Sequence, residues 1–228
     1  MVYGELGRFP LSIRVKIRMA SFWCKIVNNE SKLCSHLYRL MLCLKQKGHN
    51  SFRWINYVES IFNDIGLGYI FASQFGYYDK NILKQTLQGQ FIQSWFSDIE
   101  NSSRGQYYSL FKTEHILEKY LLNLPENYRI WITKLRTCNL KIPIETGRWL
   151  NVPRHERICN FCNIGLGDEY HFLFICNNHD IVELRTQYLP SYYCKNPTYL
   201  KMAGMLKICN VELYKRLSIF IRKLSSLL

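Results

Sequence analysis

Cys159, Cys162, His171 and Cys176 fall within eighteen consecutive positions, and four such donors cannot sit close together without constraining the fold around them. The two-residue gap of the first pair lets a tight turn aim both thiolates at one ion. Gly165 and Gly167 supply the flexible return before the second pair. Four protein ligands complete a tetrahedral Cys3His zinc site with no position left for water, so the spacing predicts a structural rather than a catalytic metal. His179 is an alternative fourth ligand. Cys176 is preferred because the apolar run Phe172 to Ile175 can pack beneath the ion. The competing expectation is scattered core cysteines with a hydrogen-bonded histidine. Three thiolates leave a zinc centre with a formal negative charge, and Arg154, His155 and Arg157 just upstream are placed to offset it and to hydrogen-bond the sulfurs. Metal binding would contribute on the order of 10 kcal/mol to folding, so residues 150–180 are expected to be loose without it.

The remaining cysteines, Cys24, Cys34, Cys43, Cys138, Cys194 and Cys209, bring the total to nine. An odd number and no leader-like N-terminal stretch point to a reducing, intracellular setting, cytoplasmic or nuclear, where these six read as small buried hydrophobes. No apolar run approaches the roughly 18 residues of a membrane span, so no membrane partner is expected.

A net charge of +13 favours contact with a polyanion. The excess is uneven: residues 1–50 carry nine Lys or Arg against two acids, 128–157 seven against two, and 51–127 six against eight. Two basic blocks around a neutral one suggest a folded body with a charged face. Lys134, Arg136, Lys141, Arg148, Arg154 and Arg157, interleaved with Trp131 and Trp149, could meet phosphates and stack on unpaired bases. For Trp149, packing under the metal lobe is an equally open expectation.

Apolar periodicity predicts a mostly helical protein, with a bundle-like N-terminal part (1–105) and a C-terminal part (106–228) stapled by zinc. Pro10 opens a helix with Leu11, Val15, Met19, Phe22 and Ile26 on one side, although the alternation from Ile13 to Met19 would also suit a strand. Ser31 caps a second, with Leu33, Leu37, Leu40, Met41 and Leu44 together, and Ser51 a third through Trp54, Ile55, Val58, Phe62 and Ile65. Asp79 opens a longer fourth, striped by Leu83, Leu87, Phe91, Trp95 and Ile99. A loop follows over 101–112, then helices over 113–122 and 126–137. Pro143, Gly147 and Pro153 predict an irregular basic connector from 139 to 157. Further helices end at Pro190 and start at Asn196-Pro197, and Asn210 caps a last one through Leu213, Leu217, Phe220, Ile221 and Leu224.

The words WITKLR (131–136), IETGRW (144–149), PRHERIC (153–159) and GDEYHFLFIC (167–176) resemble the carboxyl-terminal region of non-LTR (LINE-type) retrotransposon polyproteins. The opening VYGELGR (2–8) resembles the stretch after the polymerase in the same elements. The resemblance implies that Cys159, Cys162, His171 and Cys176 correspond to the reverse-transcriptase-associated zinc-binding motif, and that the partners are RNA or DNA, bound with little sequence preference, and the polymerase region of the parent polyprotein. The chain carries no Tyr/Phe-Ala-Asp-Asp box, and its only adjacent acids are Asp168 and Glu169. Polymerases need paired carboxylates to hold two metal ions. The expectation is therefore a truncated, non-enzymatic copy that binds nucleic acid, the alternative being a structural or protein-interaction remnant. The eight-residue gap before His171 differs from that of retroviral zinc knuckles, so their mode of base stacking is not carried over.

Overall fold

The computed structural model describes residues 1–29, 33–49, 52–208 and 210–228; the expectations at Ser31, Ser51 and Cys209 lie outside them. The described chain is mostly helical, as expected, and holds no strand, only an isolated antiparallel bridge between Ile158 and Leu166. It divides into two compact units, residues 9–95 and residues 1–8 with 96–228, whereas the sequence suggested 1–105 and 106–228.

The first unit contains α2 (Leu11–Val27), α3 (Leu33–Gln46), α4 (Arg53–Asp64), α5 (Gly68–Ser73) and most of α6 (Lys80–Glu100), while α1 (Val2–Leu6) belongs to the other unit. Ile13 to Met19 is helical, and the alternative strand is ruled out. The stripe expected on α2 is nonetheless only partly buried, at Ile26 and Met19. Leu11, Val15 and Phe22 are exposed, and the buried face runs through Ile13, Ala20, Trp23 and Ile26. Trp23 decides this register. Its ring is fully buried with centroids 5.1 Å from Phe62 and 5.6 Å from Phe71, and its Nε1 donates to the Tyr38 hydroxyl at 2.8 Å. That bond turns Tyr38 and Ser35 inward on α3 and leaves Leu33, Leu37 and Leu40 facing solvent. On α4 the expected face holds, through Ile55, Val58 and Phe62. α6 opens where Asp79 Oδ1 accepts the Asn81 amide at 2.7 Å, and Leu83, Leu87, Trp95 and Ile99 are buried along it.

The second unit begins with α1 (Val2–Leu6) and continues through α7 (Tyr108–Phe111), α8 (Tyr120–Asn123), α9 (Glu126–Arg136), α10 (Pro143–Trp149), α11 (His179–Tyr188), α12 (Ser191–Cys194), α13 (Tyr199–Lys207) and α14 (Val211–Leu227). α14 packs on α9 and α11 through the predicted Leu213, Leu217, Phe220, Ile221 and Leu224, and Asn210 caps it by accepting the Leu213 amide at 3.0 Å. The expected helix over 113–122 is not present. Only 120–123 is helical, because the Lys112 ammonium reaches forward to the Ile116 carbonyl at 2.7 Å and the Glu118 amide is taken by the Glu5 carbonyl at 2.9 Å. The connector is not wholly irregular either, since Pro143 sits at the first turn of α10, where its missing N–H costs nothing.

Arg136 explains why the first eight residues belong here. It is buried, paired with Glu5 at 2.9 Å and Glu118 at 3.0 Å, donates to the Leu206 carbonyl, and lies over Phe111 and Tyr120. A charge so enclosed needs its partners, so α1 is held where Glu5 can reach. Of the six cysteines expected to be buried, only Cys138 is; Cys34 and Cys43 are exposed, Cys24 and Cys194 half-buried, and Cys209 is outside the described residues.

Candidate metal centre

A hairpin builds the first half of the site. The Gly167 amide donates to the Arg157 carbonyl at 2.9 Å and the Cys159 amide to the Gly165 carbonyl at 3.1 Å. Asn163 and Gly165, both at positive φ, turn the chain between them. The Ile164 amide points at Cys162 Sγ from 3.4 Å, partly satisfying a thiolate there. The second half comes from a single π-turn over His171–Ile175, closed by the Cys176 amide on the His171 carbonyl at 2.8 Å. Phe172, Leu173 and Phe174 are buried beneath it, so the apolar run anchors the turn. Asp168 starts the turn. Its Oδ1 accepts the His171 amide at 2.8 Å and its Oδ2 the Tyr107 hydroxyl at 2.6 Å.

These two halves bring Cys159, Cys162, His171 and Cys176 together, all four ligand atoms within 4.8 Å of one another. Cys159 Sγ lies 3.8 Å from Cys176 Sγ, and Cys162 Sγ lies 3.2 Å from His171 Nε2. A tetrahedron of metal–sulfur bonds about 2.3 Å long has an edge of about 3.8 Å, so the spacing suits a shared ion. The donor chemistry agrees. Burial lowers the His171 pKa, favouring the neutral, ligating imidazole. Burial pushes the Cys176 thiol up to about 12, with the Cys159 thiol adding to the rise, and a bound cation would reverse such crowding. The group could hold a metal ion. Scattered core cysteines are excluded by the convergence, and His179 is excluded as a ligand because it is exposed and pairs with Asp180.

The expected basic neighbours do other work. Arg157 donates to the carbonyls of Val152 at 2.9 Å and Ile144 at 3.1 Å, Arg154 to the Ser103 carbonyl and Gln106, and His155 is exposed beside Glu156. These carbonyls and side chains, not the sulfurs, take their donors. A buried cation that the spacing of the cysteines did not suggest holds the backbone of the metal-bearing turn. Arg185 of α11 is buried and donates to the carbonyls of Cys176 at 2.9 Å and Phe172 at 3.4 Å. The readable signal was its place four residues after the buried Ile181, on the inward face of α11.

The basic residues expected to meet nucleic acid are divided by the structure. Arg136 is withdrawn into the Glu5 and Glu118 pairs and cannot reach a phosphate. Arg148 is ion-paired with Glu145 at 3.2 Å, and Arg157 is spent on backbone carbonyls. Lys134 lies over the Trp131 ring at 4.2 Å, half-buried, while Lys141 is exposed. Trp149 is 58% exposed, so it does not pack under the metal lobe. Among the described residues no helix is long and apolar enough to cross a membrane. No family model, no curated protein and no solved structure matches this chain.

Proposed function

We propose that this chain is a zinc-stabilised nucleic-acid-binding region of the kind found in non-LTR retrotransposon reverse transcriptases, a truncated copy that carries out no chemistry of its own. The observation that carries the reading is the convergence of Cys159, Cys162, His171 and Cys176, the same residues that the retrotransposon-like words surround. Three thiolates and an imidazole in a near-tetrahedral cluster suit zinc above harder cations. Zinc there would supply charge and a fixed valence with no open position, holding the hairpin to the π-turn.

The chain's net charge of +13 supports a polyanionic partner, and Lys141 and Trp149 lie on the surface close in sequence to the metal ligands. Asp168 and Glu169, the only adjacent acids, support the non-enzymatic reading: Asp168 spends both oxygens on Tyr107 and His171, and Glu169 is buried. One observation favours the alternative, a protein-interaction role: the outward face of α3, where Leu33, Leu37 and Leu40 are exposed.

Protein purified without added metal should carry one zinc per chain, and Cys162→Ser should abolish it. Affinity for single-stranded RNA or DNA should fall steeply with salt, as counterion release requires. Metal-free, fully folded protein would overturn the zinc assignment, and binding no tighter than that of a charge-matched basic protein would favour the interaction role.

A further inference from the structure

We propose that Trp149 is a stacking platform for an unpaired nucleobase, so that the ligand class is single-stranded nucleic acid rather than duplex; the inference rests on the nucleic-acid reading above. The indole is large and apolar, and burying it would be the ordinary outcome for a chain with room in its core. Here more than half of it is left in solvent, and Leu150 beside it is 75% exposed.

The exposure follows from how α10 is seated. Ile144 and Glu145 are buried on its inner side. Arg157 lies across the Gly147 face so closely that a Cβ on Gly147 would stand 2.7 Å from Arg157 Cγ. Trp149 is the last residue of α10, and its ring, unlike the Glu145 side chain one turn earlier on the same face, is left in solvent. The chain then bends at Asn151, which has a φ of 56°, and the Val152 amide closes on the Gly147 carbonyl at 2.8 Å. The helix is thus pinned at its end, and the ring cannot be folded under by a simple extension of the helix.

The same seating links the platform to the metal-holding segment. The Ile144 amide donates to the Gly167 carbonyl at 3.1 Å, and Gly167 in turn donates to the Arg157 carbonyl two residues before Cys159. A Cβ on Gly167 would meet Pro143 at 2.7 Å, so the first turn of α10 and the hairpin are in direct contact. An aromatic ring carried on a pinned backbone has only its own two side-chain torsions to lose when a base stacks on it. Duplex bases already have their faces covered by their neighbours, whereas single strands expose them. Exposed Lys141, upstream of the same helix, supplies charge for the phosphates without a base preference.

The test is fluorescence anisotropy with a labelled mixed-sequence single strand and its duplex, at one fixed salt, on the full chain with zinc content measured alongside. Trp149→Ala should weaken single-strand binding about tenfold or more while duplex binding and zinc content stay unchanged, and Trp149→Phe should recover most of the loss. If the parent binds single strands and Trp149→Ala binds them equally well, the platform is overturned while the nucleic-acid reading stands. If Trp149→Phe is as weak as Trp149→Ala, or duplex binding falls in parallel, stacking is overturned as the cause. A parent that binds neither probe overturns the nucleic-acid reading itself, and the platform with it.

Discussion

Glu169 shows how much the metal-bearing segment tolerates. It is buried, its Oε1 has no hydrogen-bond partner among the described residues, and burial, reinforced by the charges of Asp168 and Glu145, raises its carboxyl to about 7. An unfolded glutamate titrates near 4.3. Between those values the native state keeps a proton that the unfolded chain has released, so this residue makes stability fall as pH rises, by up to roughly 1.4 kcal/mol per unit. Glu169→Gln should therefore gain on the parent as pH is raised from roughly 5 to 8. Urea midpoints that run parallel for the two proteins across that range would refute it. The four metal donors were legible at this scale because their spacing carries the chemistry. The uses of the arginines were not, since a guanidinium's partners in sequence say nothing of which carbonyls will face it. Arg136 and Arg185 are buried by partners 131 and 9 residues away, Glu5 and Cys176.

At the scale of elements, helix identity was easier to read than helix orientation. α4, α6, α9 and α14 stand close to where periodicity placed them, with Asp79 and Asn210 capping as their side chains suggest. On α2 and α3 counting hydrophobes chose a face that is only partly buried: Ile26, Met19 and Met41 pack on the core as expected, while Leu11, Val15, Phe22, Leu33, Leu37 and Leu40 do not. Burial of Trp23, with the hydrogen bond it offers Tyr38, outweighs several leucines because its area is larger and its polar atom needs a partner. Trp23→Ala should accordingly cost about 3–5 kcal/mol, whereas Leu11→Ala should change stability by no more than about 0.5 kcal/mol. Similar losses in chemical denaturation would mean the face of α2 is misassigned. The helix missed at 143–149 and the one wrongly expected at 113–122 have one lesson between them. A proline can begin a helix as readily as end one, and a helical pattern gives way when a lysine side chain takes one of its carbonyls and another segment takes one of its amides.

For the whole molecule, the division into two units separates what depends on the chain's beginning from what does not. Removing residues 1–8 takes Glu5 from Arg136 and leaves that guanidinium with the Glu118 carboxylate and the Leu206 carbonyl. Loss of one partner from a buried pair costs about 3–5 kcal/mol. Amide exchange should accelerate over α9 and α14 in the truncated protein and stay unchanged over α2 and α4; equal acceleration everywhere would show that the two units unfold as one. The Glu5–Arg136 pair also bears on how such a polypeptide is made. Residues 9–95 can finish folding while the ribosome is still adding α9, but the first helix must remain undocked until its arginine has been synthesised and the last helix has followed. Residues 1–8 thus precede residues 9–95 in synthesis yet settle after them, and a product ending short of Arg136 would leave Glu5 without its buried partner.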